Sequence, residues 1–365
     1  MRGQACLPPP ERLPEPAGGT LRSGVALTSQ SIWHPMRRSF ATLTAALILS
    51  SAFCAFAVAA GAAPVRIAIV SRTVFYVPVW IADRLGYFKN EGIEPTIEVY
   101  DNAEKINEDL RSGRVQIAIS TPESVVVDAY RGGSLRLIAG NAGKLPHFII
   151  ARPEIKTLAD LRGARFGVLS MQEGTTYLVQ HLAKVAGLQA DQYQIVAVGG
   201  APTRWRLLKE GKIDVGLQPF PLSYEAEAAG FNNLGPMLNY IPDYQFTSVN
   251  VEGGWAAQNG ELVSAFLRAL RAGQAYMAAH TDETAEIAAQ ELKTSVPLAR
   301  RALEDTARLK ILAEDVSQAG LAYVFESLQS AGLIAREQRF DFAKIVDQRY
   351  LVQSRLLDDR GTVRR

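Results

Sequence analysis

The sequence predicts an α/β protein of two lobes joined by two chain crossings, with a helical C-terminal region. Three observations carry this. Short β-branched runs alternate with helical patterns from residue 65 to 139, the sign of strands linked by crossover helices. A second series of the same kind begins after Pro153 and runs to 217. A lone run at 247–251 reads as a return crossing, and residues 261–357 are almost all helical in pattern. The lobes drawn from this are residues 63–150 with 249–365, and residues 151–248.

The elements follow in order. Residues 65–70 suit a buried strand, and a loop at 71–76 leads into a helix over 77–85 with Val79, Ile81, Ala82 and Leu85 inward. Residues 93–99 alternate as a second strand, and 104–112 form a helix that Gly113 ends. A third strand at 115–119 runs into Ser120-Thr121-Pro122-Glu123, a helix start with hydroxyl caps, proline and an acid in the first turn. A fourth strand covers 135–139, and 147–151 is an apolar run before Pro153. The second series comprises a strand at 166–169, a helix at 175–186 closed by Gly187, a strand at 194–198, a helix at 203–210 closed by Gly211, and a strand at 213–217.

Hydrophobic residues make up 48% and charged residues 21%, the balance of a globular chain rather than a disordered one. The formal net charge is +2, yet residues 1–62 hold five arginines against two glutamates, which leaves the remainder slightly acidic. Such a body lacks the clustered Lys and Arg that phosphate neutralisation requires, so nucleic acid is excluded as a partner. The two cysteines, Cys6 and Cys54, both precede residue 63. No pair among His34, His147, His181 and His280 has the spacing that places two ligands on one helix face, so no metal or other cofactor is expected.

Residues 36–62 pair Arg37-Arg38 with an apolar run from 41 to 60 and small residues at the end, the pattern of a cleavable secretory signal. Cleavage is expected after Ala62, with Ala59 as a second place, giving an exported periplasmic protein, taken as a monomer. Residues 1–35, rich in Pro and Gly, read as a disordered or wrongly included upstream extension.

Four passages resemble the type II periplasmic solute-binding proteins of the nitrate, sulfonate, taurine and thiamine-precursor branch. They are Val79-Trp80-Ile81-Ala82-Asp83-Arg84-Leu85-Gly86-Tyr87-Phe88; Gly113-Arg114-Val115-Gln116-Ile117-Ala118; Leu158-Ala159-Asp160-Leu161-Arg162-Gly163-Ala164-Arg165-Phe166-Gly167-Val168; and Gly211-Lys212-Ile213-Asp214-Val215. Each is weak alone; all four in register along the chain are specific. The resemblance implies a type II periplasmic-binding-protein fold and no enzymatic activity. It implies the substrate-binding role of an ABC importer, with a membrane permease and its ATPase as partners. The lobes would close over a small organic anion or planar solute such as a sulfonate, taurine, nitrate or a pyrimidine precursor. Two alternatives stay open: a ligand sensor that signals to a membrane receptor, and a thiamine-pyrimidine biosynthetic enzyme on the same fold. The latter uses a cysteine-rich motif, which residues 63–365 do not contain.

In open α/β sheets ligands bind beyond the carboxyl ends of the strands. That rule selects the candidate binding residues. Thr73, Phe75 and Tyr76 follow the first strand, and Ser120 and Thr121 follow the third. Ser170, Gly174, Thr175 and Thr176 open the helix after the first strand of the second series, where free N–H groups could hold a carboxylate or sulfonate. Glu173 in that loop opposes an anion. Gln218 and Phe220 follow the last strand of that series; Arg72, Asn141, Lys144, His147, Asn250 and Glu252 are weaker candidates, and Trp205 and Trp255 read as packing residues.

Overall fold

The computed structural model describes residues 61–361. The upstream extension, both cysteines and all but the last two residues of the expected signal lie outside the described residues.

Two five-stranded sheets form the frame. The first has the order β2-β1-β3-β10-β4, from β1 (Ala63–Ile69), β2 (Ile93–Val99), β3 (Ile117–Ser120), β4 (Leu135–Ala142) and β10 (Thr247–Glu252). The second has the order β7-β6-β8-β5-β9, from β5 (His147–Ala151), β6 (Arg165–Val168), β7 (Gln194–Ala197), β8 (Val215–Pro219) and β9 (Asn232–Pro236). The two orders are the same pattern. In each, a reversed strand lies between the third and fourth strands: β10 runs antiparallel to β3 and β4, and β5 antiparallel to β8 and β9.

These pairings revise the sequence reading in three places. The first crossing falls between Ala142 and His147 rather than after residue 150, because β5 pairs along its whole length with β8. The return is complete by Thr247, so 247–251 is a strand of the first sheet and not the crossing itself. The sheets are mixed rather than parallel throughout. Strand β9 was not legible, since Asn-Asn-Leu-Gly-Pro lacks β-branched residues; it is an edge strand held by β5 alone.

Helices cover the sheets. In the first half α1 (Val77–Arg84), α2 (Tyr87–Asn90), α3 (Ala103–Arg111) and α4 (Glu123–Tyr130) alternate with the strands. In the second, α5 (Gly174–Val185), α6 (Ala201–Lys209) and α7 (Leu222–Ala228) do so. Gly113 (φ 73°) and Gly211 (φ 67°) end helices in the left-handed region, where a side chain would strain the backbone. Trp80 is buried in α1, whereas Leu85, expected inward, is exposed. Phe88 is buried and stacks on Phe266 at 5.4 Å, docking α2 on a C-terminal helix.

The C-terminal region is α8 (Gly253–Gln258), α9 (Gly260–Ala279), α10 (Thr281–Leu292), α11 (Val296–Arg308), α12 (Gln318–Ser330), α13 (Phe342–Ile345) and α14 (Arg349–Gly361). Helix α9 lies along α1 and its buried face includes Val263, Phe266, Leu270 and Met277. Gly273 allows that approach, because a Cβ there would stand 2.4 Å from the Pro78 carbonyl oxygen. No described helix is long and apolar enough to cross a membrane.

Candidate functional site

The carboxyl ends of strands from both sheets converge on one buried cavity. Val70, Ser71, Thr73, Phe75 and Tyr76 reach it after β1, and Thr121 after β3. From the second sheet come Leu169, Glu173 and Thr175 after β6, Gly200, Ala201 and Arg204 after β7, and Pro219 at the end of β8. His147 and Phe246, at the two crossings, close it. Its volume is about 20 Å³, room for about one water molecule. The cleft is therefore shut, and a larger occupant requires the halves to part.

Six polar atoms around this space are buried without a hydrogen-bond partner: Thr73 Oγ1, Tyr76 Oη, Thr121 Oγ1, His147 Nδ1, Glu173 Oε2 and Arg204 Nε. Buried polar groups are almost always paired, so a cluster of this kind marks a place meant to be filled.

The ionisable groups are held apart from water. Burial pushes the Glu123 carboxyl up to about 7, and the charge of Glu173 adds to it; Tyr244 donates to Glu123 Oε1 at 2.7 Å and opposes the rise. Burial likewise raises Glu173, which its hydrogen bonds from Thr175 and the charge of Arg204 resist. His147 is held well below its ordinary value by burial and then by Arg204, so it is neutral at pH 7. Arg204 is lowered to about 10 by burial, against the pull of Glu173. Its two terminal nitrogens donate to the carbonyls of Leu217 (2.8 Å) and Gly199 (3.4 Å).

The two halves touch across the cleft at several points. Ser170 donates to Glu104 Oε1 at 2.8 Å, and Tyr323 pairs with His181 Nδ1 at 2.8 Å. Thr294 donates to Glu225 Oε1 at 2.7 Å, Tyr224 to Asp305, and the Arg301 guanidinium sits 3.9 Å from the Tyr224 ring centre.

Of the residues selected from the sequence, Thr73, Phe75, Tyr76, Thr121 and Thr175 line the cavity. The weaker candidate His147 lines it too, and the remaining residues selected after strand ends sit elsewhere. Ser120 Oγ accepts from Asn250 Nδ2 at 2.9 Å, and the start of α4 carries no side-chain cap. Ser170 bridges to Glu104, Thr176 donates to the Ser170 carbonyl at 2.8 Å, and Gly174 lies against Glu123 and Tyr244. The Gln218 carboxamide faces the Ala201 carbonyl and the Trp205 amide, each at 3.2 Å, beneath α6. Phe220 packs between Phe148 and Tyr224.

The start of α5 corrects the sequence reading most sharply. Its N–H groups were expected to be free for an anion. Glu173 is the N-cap, and its own carboxylate accepts from Thr175 N at 2.9 Å and from the Thr175 hydroxyl. Arg204 and Phe246 were missed. Arg204 is a lone cation in the first turn of α6, where helix charge favours acids; that mismatch was the available signal. Among the described residues no group of three His, Cys, Asp or Glu is placed to hold a metal.

A family model described as NMT1/THI5 like matches residues 75–284. A protein of Brucella abortus (strain 2308), named as a binding protein, is 23% identical over 216 residues, 58% of this chain. The chain spans 66% of that relative's length, just under two thirds. Among solved structures, a protein of Bordetella bronchiseptica RB50 superposes with TM-score 0.70 at 19% identity, over 81% of this chain and 98% of that one. The periplasmic nitrate-binding protein NrtA of Synechocystis PCC 6803 gives 0.67 at 11% identity, over 80% and 88%. The periplasmic aliphatic sulphonate-binding protein SsuA of Escherichia coli gives 0.61 at 14% identity, over 78% and 97%. At these identities the likeness concerns the fold, which is that of a two-lobed type II periplasmic binding protein.

Proposed function

We infer that this chain, which belongs to the NMT1/THI5-like family, is the solute-binding component of an ABC importer. It captures a small planar or organic solute between its lobes and presents the closed form to a membrane permease and its ATPase. The observation that carries this reading is the cavity where strand ends of both sheets meet, ringed by buried polar atoms without partners. A solute bonded to both halves would satisfy those atoms only when the halves are closed, and so would stabilise the closed state over the open one.

The same reading places the working protein outside the cytoplasm. The signal pattern at 36–62 supports export, and the amino terminus of the exported form is expected at Ala60 or Ala63. Capture without chemistry fits a described chain free of cysteine.

The test is a panel of small organic solutes followed by thermal unfolding. A bound solute at a hundred times its dissociation constant stabilises by about 2.7 kcal/mol. The Thr73→Trp variant fills the cavity and wedges the cleft, so it should unfold cooperatively yet lose the shift. Retention of the shift in that variant, or recovery of a chemically altered solute, refutes the proposal.

A further inference from the structure

The charge around the cavity is one-sided, and this bears on which solute it admits; the inference rests on the reading of that cavity as the solute site. Glu123 stands in the first half at the start of α4, two residues on from the lining Thr121, and Glu173 lines the cavity from the second half at the start of α5. Both are fully buried. A Cβ on Gly174 would stand 2.8 Å from Glu123 Oε1, so the first-half carboxyl approaches the backbone next to Glu173 too closely for any side chain there.

The groups facing the pair are few. Tyr244 and Tyr177 face Glu123; Thr175, Tyr76, Glu104 and Arg204 face Glu173. Glu104 is tied to Ser170 through one oxygen, and its other oxygen has no partner. His147 is neutral beside Arg204. Two fully buried carboxyl groups thus stand near one buried guanidinium, whose two terminal nitrogens already donate to carbonyls. The helix start that would favour an oxyanion is filled by Glu173 itself.

We propose that Glu123 and Glu173 are the specificity-determining pair of the cleft, selecting a solute that brings a cationic or N–H-donor edge between them and excluding a bare oxyanion. An anion can be enclosed only if a proton enters with it. In the parted halves Glu123 is hydrated and returns toward the ordinary carboxyl value of 4.5; closed, it stands near 7. The closed state therefore binds the extra proton, and enclosure of an anion weakens as pH rises, by up to about tenfold per unit. A cation supplies the missing charge, and its affinity stays flat over the same range.

Benzamidine, benzamide and benzoate share one shape and carry positive, zero and negative charge. Calorimetric titration of the full chain with each, between about pH 6 and about pH 8, tests the proposal. Benzamidine should bind at least about tenfold more tightly than benzoate at neutral pH, with benzamide between; benzoate should show the steepest slope, benzamide a shallower one and benzamidine none. Glu123→Gln and Glu173→Gln keep the shape, and in the second variant the carboxamide oxygen can still accept from Thr175 N. Each should weaken benzamidine, strengthen benzoate and, for Glu123→Gln, abolish the slope. Benzoate bound as tightly as benzamidine, or variants that shift all three alike, overturn the selection while leaving solute capture intact. Silence from all three compounds in every variant overturns the capture reading and the selection with it.

Discussion

Gly320→Ala is a small change whose effect can be worked out from the packing. Gly320 lies in the first turn of α12, its N–H bonded to the Ser317 hydroxyl at 3.0 Å. A Cβ there would sit 2.4 Å from Gln245 N and 2.6 Å from Tyr244 C. Both are backbone atoms, so no side-chain rotation relieves the clash; ordinary contact at 3.4 Å requires a movement of about 1 Å. Overpacking against backbone costs up to about 3 kcal/mol, and the better helix propensity of alanine returns at most about 1 kcal/mol. The net loss is about 2 kcal/mol, or about 3 °C in unfolding midpoint for a folded body of about 300 residues. Tyr244 also carries the hydroxyl that donates to Glu123, so the same push should disturb the cleft. Scanning calorimetry of the variant is the assay, with Gly260→Ala as control, since its new methyl would meet nothing nearer than 3.4 Å. An unchanged midpoint for Gly320→Ala, or equal losses in both variants, would refute the packing argument.

Three further outcomes are expected. Asp214 is held low chiefly by its hydrogen bonds from Arg165, at 2.7 and 2.8 Å, so its share of stability is present above the ordinary Asp value and is lost as pH falls below it; Asp214→Asn should flatten that acid limb in melts taken down to about pH 3. Arg204→Met leaves Glu173 buried without its opposing charge, and in combination with Glu173→Gln should cost less than the two single losses added, a coupling of about 0.5–3 kcal/mol by denaturant titration. Tyr323→Phe removes the hydroxyl paired with His181 Nδ1 at the rim of the cleft and should cost about 0.5–1.5 kcal/mol in the same titration. Because burial and then Lys184 hold His181 below its ordinary value, the folded state favours the neutral ring, and stability should fall as pH drops below the ordinary His value.

The frame was largely legible because it rests on local signals. Apolar runs at 65–70 and 93–99, and glycines that end helices at 113 and 211, need no distant partner to be read. Strand direction was not, since the reversal of β5 and β10 is decided by which neighbours they pair with. At the site, position after a strand end found Thr73, Phe75, Tyr76, Thr121 and Thr175. It could not say where a side chain points: Gln218 turns under α6, drawn by backbone groups of that helix, and Ser120 toward Asn250, a partner far along the chain. Glu173 was read as an obstacle to an anion; that it also caps its own helix was not legible.

That self-capped helix has a consequence for the company the protein keeps. An open helix start is a general trap for chloride, phosphate and sulfate, which abound in most aqueous surroundings. Here the trap is plugged from within, by a carboxylate that never leaves the chain. At that helix start a common inorganic ion meets a carboxylate already in place, so any choice of solute falls to the other groups that face the cavity.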